Sequence, residues 1–98
     1  MDTGYVWDEN KYRRVQEEHE VSFWEAVSVL SDPWGLEKTD DASGEENQWI
    51  WVGQTAQGRV LVVVYDDLED APLLRLITAF DAEGEWLREY EEQDKTSN

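Results

Sequence analysis

The stretch Arg59-Val60-Leu61-Val62-Val63-Val64-Tyr65 holds the longest apolar run in the chain. Its β-branched content and short length predict a strand. Leu61, Val63 and Tyr65 alternate with Val60, Val62 and Val64, so both faces are apolar. A strand of that kind belongs at the centre of a sheet, with structure packed on each side or one face very deeply buried. The rest of the chain therefore has to supply sheet neighbours and covering helices.

The neighbours can be read in order. Gln48 to Gly53 reads as a strand with Trp49 and Trp51 on one face and Ile50 and Val52 on the other. Thr55-Ala56-Gln57-Gly58 reads as the turn that leads into the central strand, Gly58 being free to take positive φ. Leu73 to Phe80 reads as the next strand, with Arg75, Ile77 and Ala79 on one face and Leu74, Leu76 and Thr78 on the other. Tyr5-Val6-Trp7 is a short strand at the start. Asp8 is then placed to cap a helix with Tyr12, Val15 and His19 on one face, Trp7 and Tyr12 forming a hydrophobic staple. Ser22 and Glu25 form a capping box for a second helix with Phe23, Val27 and Leu30 on its apolar face. Asp32-Pro33 ends it. Trp34 to Glu37 reads as a short strand, and Lys38 to Asn47 and Asp66 to Ala71 as acidic loops. Pro72, which lacks an amide donor, suits a strand start. Asp81 is expected to cap a last helix running to Gln93, with Trp86, Leu87 and Tyr90 as its buried stripe and Gly84 weakening its first turn. The expected class is α+β, an antiparallel meander with two N-terminal helices and one C-terminal helix on one face. Residues 1–93 form a single domain in this reading and 94–98 a frayed tail.

Charge narrows the partners. Acidic residues number 24 against 8 basic, a net charge of −16, and the acids are spread along the chain. Such a surface repels nucleic acid and anionic membrane. Adaptation to high salt, an acidic face for a basic protein partner, and nucleic-acid mimicry would each explain it. There are no cysteines, which excludes disulfides and thiolate metal sites. No stretch is apolar enough to span a membrane and no signal peptide is visible, so a cytoplasmic protein is expected. Asp40 and Asp41 lack the alternation and terminal glutamate of a calcium loop. No metal-ligand cluster, glycine-rich phosphate loop or nucleophile triad is present, and no cofactor is expected.

The opening Tyr5-Val6-Trp7-Asp8-Glu9-Asn10-Lys11, then His19-Glu20-Val21-Ser22-Phe23-Trp24-Glu25-Ala26 and Asp32-Pro33, resembles the signature of the BrnT toxins. Later landmarks keep the order. They are Gly53, Gly58-Arg59 before Leu61-Val62-Val63-Val64-Tyr65, Arg75-Leu76-Ile77-Thr78-Ala79, and Tyr90. The resemblance runs from Tyr5 to Glu92. It implies a small RelE-like fold and an endoribonuclease toxin of a type II toxin–antitoxin module. It also implies neutralisation by a DNA-binding antitoxin and assembly with that partner into a higher oligomer. The chain departs from the pattern at chosen places. The family's Lys-His-Gly is here Glu18-His19-Glu20, and the arginine expected at the end of the sheet is Phe80. Asp81, Glu83 and Glu85 stand where the family has basic residues opening the last helix, and Trp86 stands where it has a glutamate. Lys11, His19, Arg59 and Arg75 survive.

Metal-independent RNA cleavage needs a base for the 2′-hydroxyl proton, an acid for the leaving oxygen, and cations for the phosphate. His19, the one histidine, has the side chain suited to that proton transfer. It could equally close the apolar stripe of Tyr12 and Val15. Arg59 and Arg75 could hold a phosphate bidentately or pair with acids. Lys11, Arg13 and Arg14 could meet phosphate or form a solvated helix face. Trp7, Trp49 and Trp51 fit the core; Trp24, Trp34 and Trp86 could form an aromatic patch for a protein partner. The expected function is a toxin component that binds an antitoxin-like protein, with weak RNA contact and doubtful ribonuclease activity. The alternatives are an active endoribonuclease and a salt-adapted homologue of ordinary function. Convergence of Lys11, His19, Arg59 and Arg75 in one concavity would favour the active enzyme; dispersal into ion pairs would disfavour it.

Overall fold

The apolar run lies in β4 (Val60–Leu68), the middle strand of a five-stranded sheet. A computed structural model describes residues 4–7, 9–39, 48–68 and 73–93. The other strands are β1 (Gly4–Trp7), β2 (Leu36–Thr39), β3 (Gln48–Gln54) and β5 (Leu73–Asp81), in the spatial order β1-β5-β4-β3-β2. From β2 to β5 the sheet is an antiparallel meander, whereas β1 runs parallel to β5. The β3–β4 turn is as expected, with Gly58 at φ 90°.

Both faces of β4 are covered. On one, Leu61, Val63 and Tyr65 join Leu76 and Ala79 of β5 beneath α1 (Glu9–His19) and α2 (Phe23–Leu30), which contribute Val15, Ala26 and Val29. On the other, Val62 packs with Val52, Ala82 and Tyr90, the last from α3 (Glu85–Glu92). The helices thus lie on both faces, not on one. The smaller face carries Ile50, Phe80, Trp86 and Leu87 around its centre. Lys38 Nζ sits 5.4 Å from the Trp86 ring and pairs with Glu89.

Four local readings change. Asp66 to Leu68 continue β4 instead of starting a loop, because Asp66 pairs in register with Arg75. Lys38 and Thr39 belong to β2, which begins at Leu36 and not Trp34. Asp81 is the last residue of β5; α3 starts later, with Gly84 at its N-cap making no side-chain hydrogen bond. In β5 the alternation breaks: Val64 pairs with Thr78 and Tyr65 with Leu76, leaving Ile77 without a partner on β4. The extra residue is a β-bulge, which places Leu74, Leu76 and Ala79 against one core cluster. The expectations for Asp8, Asp40, Asp41, Pro72 and the tail lie outside the described residues, as does most of the two acidic loops.

The helix entries behave as their local chemistry dictates. The Ser22 capping box is complete: Ser22 Oγ accepts from Glu25 N at 3.1 Å, and Glu25 Oε1 accepts from Ser22 N at 3.0 Å. The Trp7 and Tyr12 rings are 5.0 Å apart. Trp51 Nε1 donates to the Val29 carbonyl, tying β3 to the end of α2. Among the described residues no helix is long and apolar enough to cross a membrane.

Candidate functional site

The site is built around the junction of α1 and α2. The first helix ends at His19, and Glu20 takes the left-handed conformation at φ 54°, its N–H bonded to the Gln16 carbonyl at 3.1 Å. That conformation normally suits glycine, since a Cβ there crowds the carbonyl oxygen. Glu20 is exposed, and no side-chain hydrogen bond of its own carboxylate accompanies the turn among the described contacts. Glu20→Gly should therefore raise stability by about 0.5–1 kcal/mol, visible as a shift of the urea midpoint with an unchanged slope. An unchanged or lower midpoint would show that the left-handed turn carries no strain.

The carbonyls at this turn are held by Arg59, immediately before β4. A guanidinium has five N–H donors, and here each finds an acceptor. Nε donates to Asp81 Oδ1 at 2.7 Å, and Nη2 to Asp81 Oδ2 and the His19 carbonyl, both at 3.0 Å. Nη1 donates to the Glu20 carbonyl at 2.8 Å and to Glu25 Oε2 at 3.0 Å. The side chain is 27% exposed. Arg59 thereby joins the α1 end, the α2 capping box and the end of β5. The Arg59 hydrogen bonds hold the Asp81 carboxyl below its ordinary range. Glu25 is also lowered, first by the Ser22 backbone N–H and further by Arg59. The two carboxylates raise Arg59 in turn, Asp81 contributing most.

The His19 side chain lies at the same turn, in a cavity wall shared with Asp81. Its ring centroid lies 5.9 Å from that of Phe80, and its Nε2 is 3.9 Å from Glu18 Oε2. It lines two cavities. One, of about 180 Å³, lies between α1 and the part of β5 beyond its pairing with β1, and is walled by Lys11, Arg14, Val15, Glu18, Ile77 and Thr78. The other, of about 350 Å³, has Glu18, Glu20, Phe80, Asp81 and Glu83 in its wall. From β5, Ile77 and Thr78 line the first of these spaces, and Phe80 and Asp81 the second.

The four basic candidates separate. Lys11 and His19 meet in the smaller cavity. Arg59 reaches His19 only at its backbone carbonyl. Arg75 sits between Leu74 and Leu76, whose side chains enter the α1–α2 core, so it projects from the opposite face. There it meets the buried Asp66, with Nε–Oδ1 at 3.2 Å and Nη2–Oδ2 at 2.6 Å. The structure adds Arg14 to the cavity wall, and Glu25 and Asp81 as the acidic partners of Arg59. The capping-box pattern locates Glu25, but only for its bond to Ser22. Among the described residues no group of three His, Cys, Asp or Glu side chains is placed to hold a metal ion.

Comparison with known proteins agrees with this architecture. No curated protein matches the sequence. The 1.1 Å crystal structure of the Brucella abortus ribonuclease toxin BrnT superposes with a TM-score of 0.66 at 15% identity. The match covers 85% of this chain and all of the Brucella chain. Likeness at that identity speaks for the fold. The sequence itself matches the family described as ribonuclease toxin, BrnT, of type II toxin–antitoxin system, over residues 7–85. That span takes in α1, the Arg59 clamp, both cavities and the whole sheet from Trp7 onward, and the chain belongs to the BrnT ribonuclease toxin family of type II toxin–antitoxin systems.

Proposed function

We propose that this chain is the toxin component of a type II module, held in the cytoplasm by an antitoxin-like protein, and that its ribonuclease activity is weak or absent. One observation carries the reading of activity: every N–H of Arg59 is already bonded within the fold. A cation in that state offers a developing phosphate charge nothing unless an internal bond breaks. Arg75, on the far face, is turned to Asp66. Phe80 stands beside His19 where the family resemblance places an arginine, and Glu18, Glu20, Asp81 and Glu83 share the cavity wall with it. Those carboxylates oppose an RNA phosphate, most strongly at low salt.

The partner reading is supported by the acidic surface and by two exposed aromatic anchors, Trp24 at 77% and Trp34 at 53% exposure. Tryptophans of this kind supply much of the binding energy where proteins meet. A basic partner would assemble with the toxin through charge and these rings, and salt would weaken the complex.

A second reading, an active endoribonuclease, is favoured by the meeting of Lys11, Arg14 and His19 around one cavity. In that reading His19 transfers the proton, while Lys11 and Arg14 take the phosphate charge. Wild type and His19→Ala, expressed in a bacterial host and purified for incubation with total RNA, separate the two. Neither should stop growth or cut RNA at an appreciable rate. Growth arrest and cleavage by the wild type, lost at least a hundredfold in His19→Ala, would establish the active reading instead.

A further inference from the structure

The Nε–Nη2 edge of Arg59 is the edge that receives carboxylate or phosphate with two parallel hydrogen bonds. Asp81 occupies it in that manner, at 2.7 and 3.0 Å. The remaining donors are engaged elsewhere: Nη1 by the Glu20 carbonyl and Glu25, and the second Nη2 proton by the His19 carbonyl. The guanidinium is therefore held in place independently of Asp81. Half of the Asp81 side chain is exposed, and it forms part of the wall of the 350 Å³ cavity that His19 also lines.

We propose that this edge is a phosphate-binding site closed by the protein's own carboxylate. Asp81 stands where a phosphate would sit, and removing it opens two aligned N–H donors directly behind the part of the cavity wall that Asp81 forms, in a cavity that His19 also lines. As a tethered group, the carboxylate competes at an effective concentration that free phosphate does not match. Glu25 binds Nη1, away from the exposed edge, and Glu18, Glu20 and Glu83 are exposed enough for salt to screen them. The inference deepens the reading of weak ribonuclease activity, since it names what blocks Arg59. Its test reads phosphate binding without RNA, so failure of the one does not entail failure of the other.

The test compares the full-length wild type, Asp81→Ala, Asp81→Asn, and Asp81→Ala combined with Arg59→Lys. Each is melted in inorganic phosphate, acetate and chloride at matched ionic strength, to remove the general effect of salt on an acidic chain. Phosphate about tenfold above its Kd should raise the Tm of Asp81→Ala by roughly 5–10 °C over chloride. The wild type and the double variant should show no difference. Should Asp81→Ala fail to fold, Asp81→Asn is followed by the Arg59 Nε–H resonance during phosphate titration, where the signal should shift and that of wild type should not. An opened variant that phosphate neither stabilises nor shifts overturns the proposal. So does equal protection by acetate, which would make the edge a general carboxylate contact, and so does protection that persists in the double variant.

Discussion

Arg59→Ala should destabilise the fold by about 3 kcal/mol at neutral pH, the lower part of the range for breaking a buried ion pair, because the side chain keeps some exposure. For a domain of this size that is a fall in Tm of roughly 12–20 °C. The loss has three parts. Two helix-end carbonyls lose their donor, Glu25 and Asp81 lose their counter-charge, and the end of β5 is released from the α1–α2 turn. The penalty should also depend on pH, with a definite sign. Asp81 and Glu25 are lowered in the folded state, so their contribution is fully present above the ordinary carboxylate pKa. It is lost as the pH falls through the folded values, where both states become protonated. The gap between wild type and Arg59→Ala should therefore be widest near neutrality and close on acidification. Denaturation curves from neutral pH downward measure it. A gap that stays constant, or widens in acid, would mean that Arg59 acts through packing and its carbonyl bonds alone.

The second large effect is expected at Gly53. A Cβ there would lie 2.5 Å from the Val29 carbonyl oxygen and 2.8 Å from Trp51 Nε1. Those two atoms are themselves bonded to each other. The first obstacle is backbone at the end of α2, which has little room to move, since Val29 is fully buried. Gly53→Ala should cost about 2–3 kcal/mol through this overpacking. Gly58→Ala, at a turn, would act through φ instead and meets only the end of a flexible side chain, Gln54 Nε2 at 3.7 Å. If Gly53→Ala unfolds at the wild-type denaturant concentration, the close approach of α2 to β3 is not a constraint on the fold.

How far the structure could be read from residues alone depends on how local each cause is. The central strand, its hairpin and the Ser22 capping box were legible because each is determined within a few residues. Alternating apolar faces mark β4, a turn residue with positive φ marks Gly58, and two reciprocal hydrogen bonds mark the cap. The bulge at Ile77 was not, because an inserted residue leaves no trace in composition; strict alternation put Ala79 on the face opposite Leu76, and the structure unites them. Putting all three helices on one face is the reading that fails, although the residues argue against it: β4 is equally apolar on both sides and calls for cover on each. Asp81 misleads for a simple reason: an aspartate before a helical stretch has the features of an N-cap, and its true partner is twenty-two residues away. The Arg59 clamp had even less to show. Two of its acceptors are backbone carbonyls, which every residue possesses and no sequence pattern advertises.

The parallel pairing of β1 with β5 governs when this protein can become itself during synthesis. The strand Gly4–Trp7 leaves the ribosome well before Leu73–Leu76, the only segment with which it pairs in the described sheet. Helix α1 is in the same position, for its buried Val15 shares a core with Leu76 and Ala79 of β5. Until those residues emerge, β1 and the apolar stripe of α1 must wait beside a growing meander that can already zip β3 to β4. A chain dominated by such long-range closure gains most of its cooperativity near the end of translation. The finished α1–α2 junction, with every acceptor of Arg59 in place, cannot precede the appearance of Asp81.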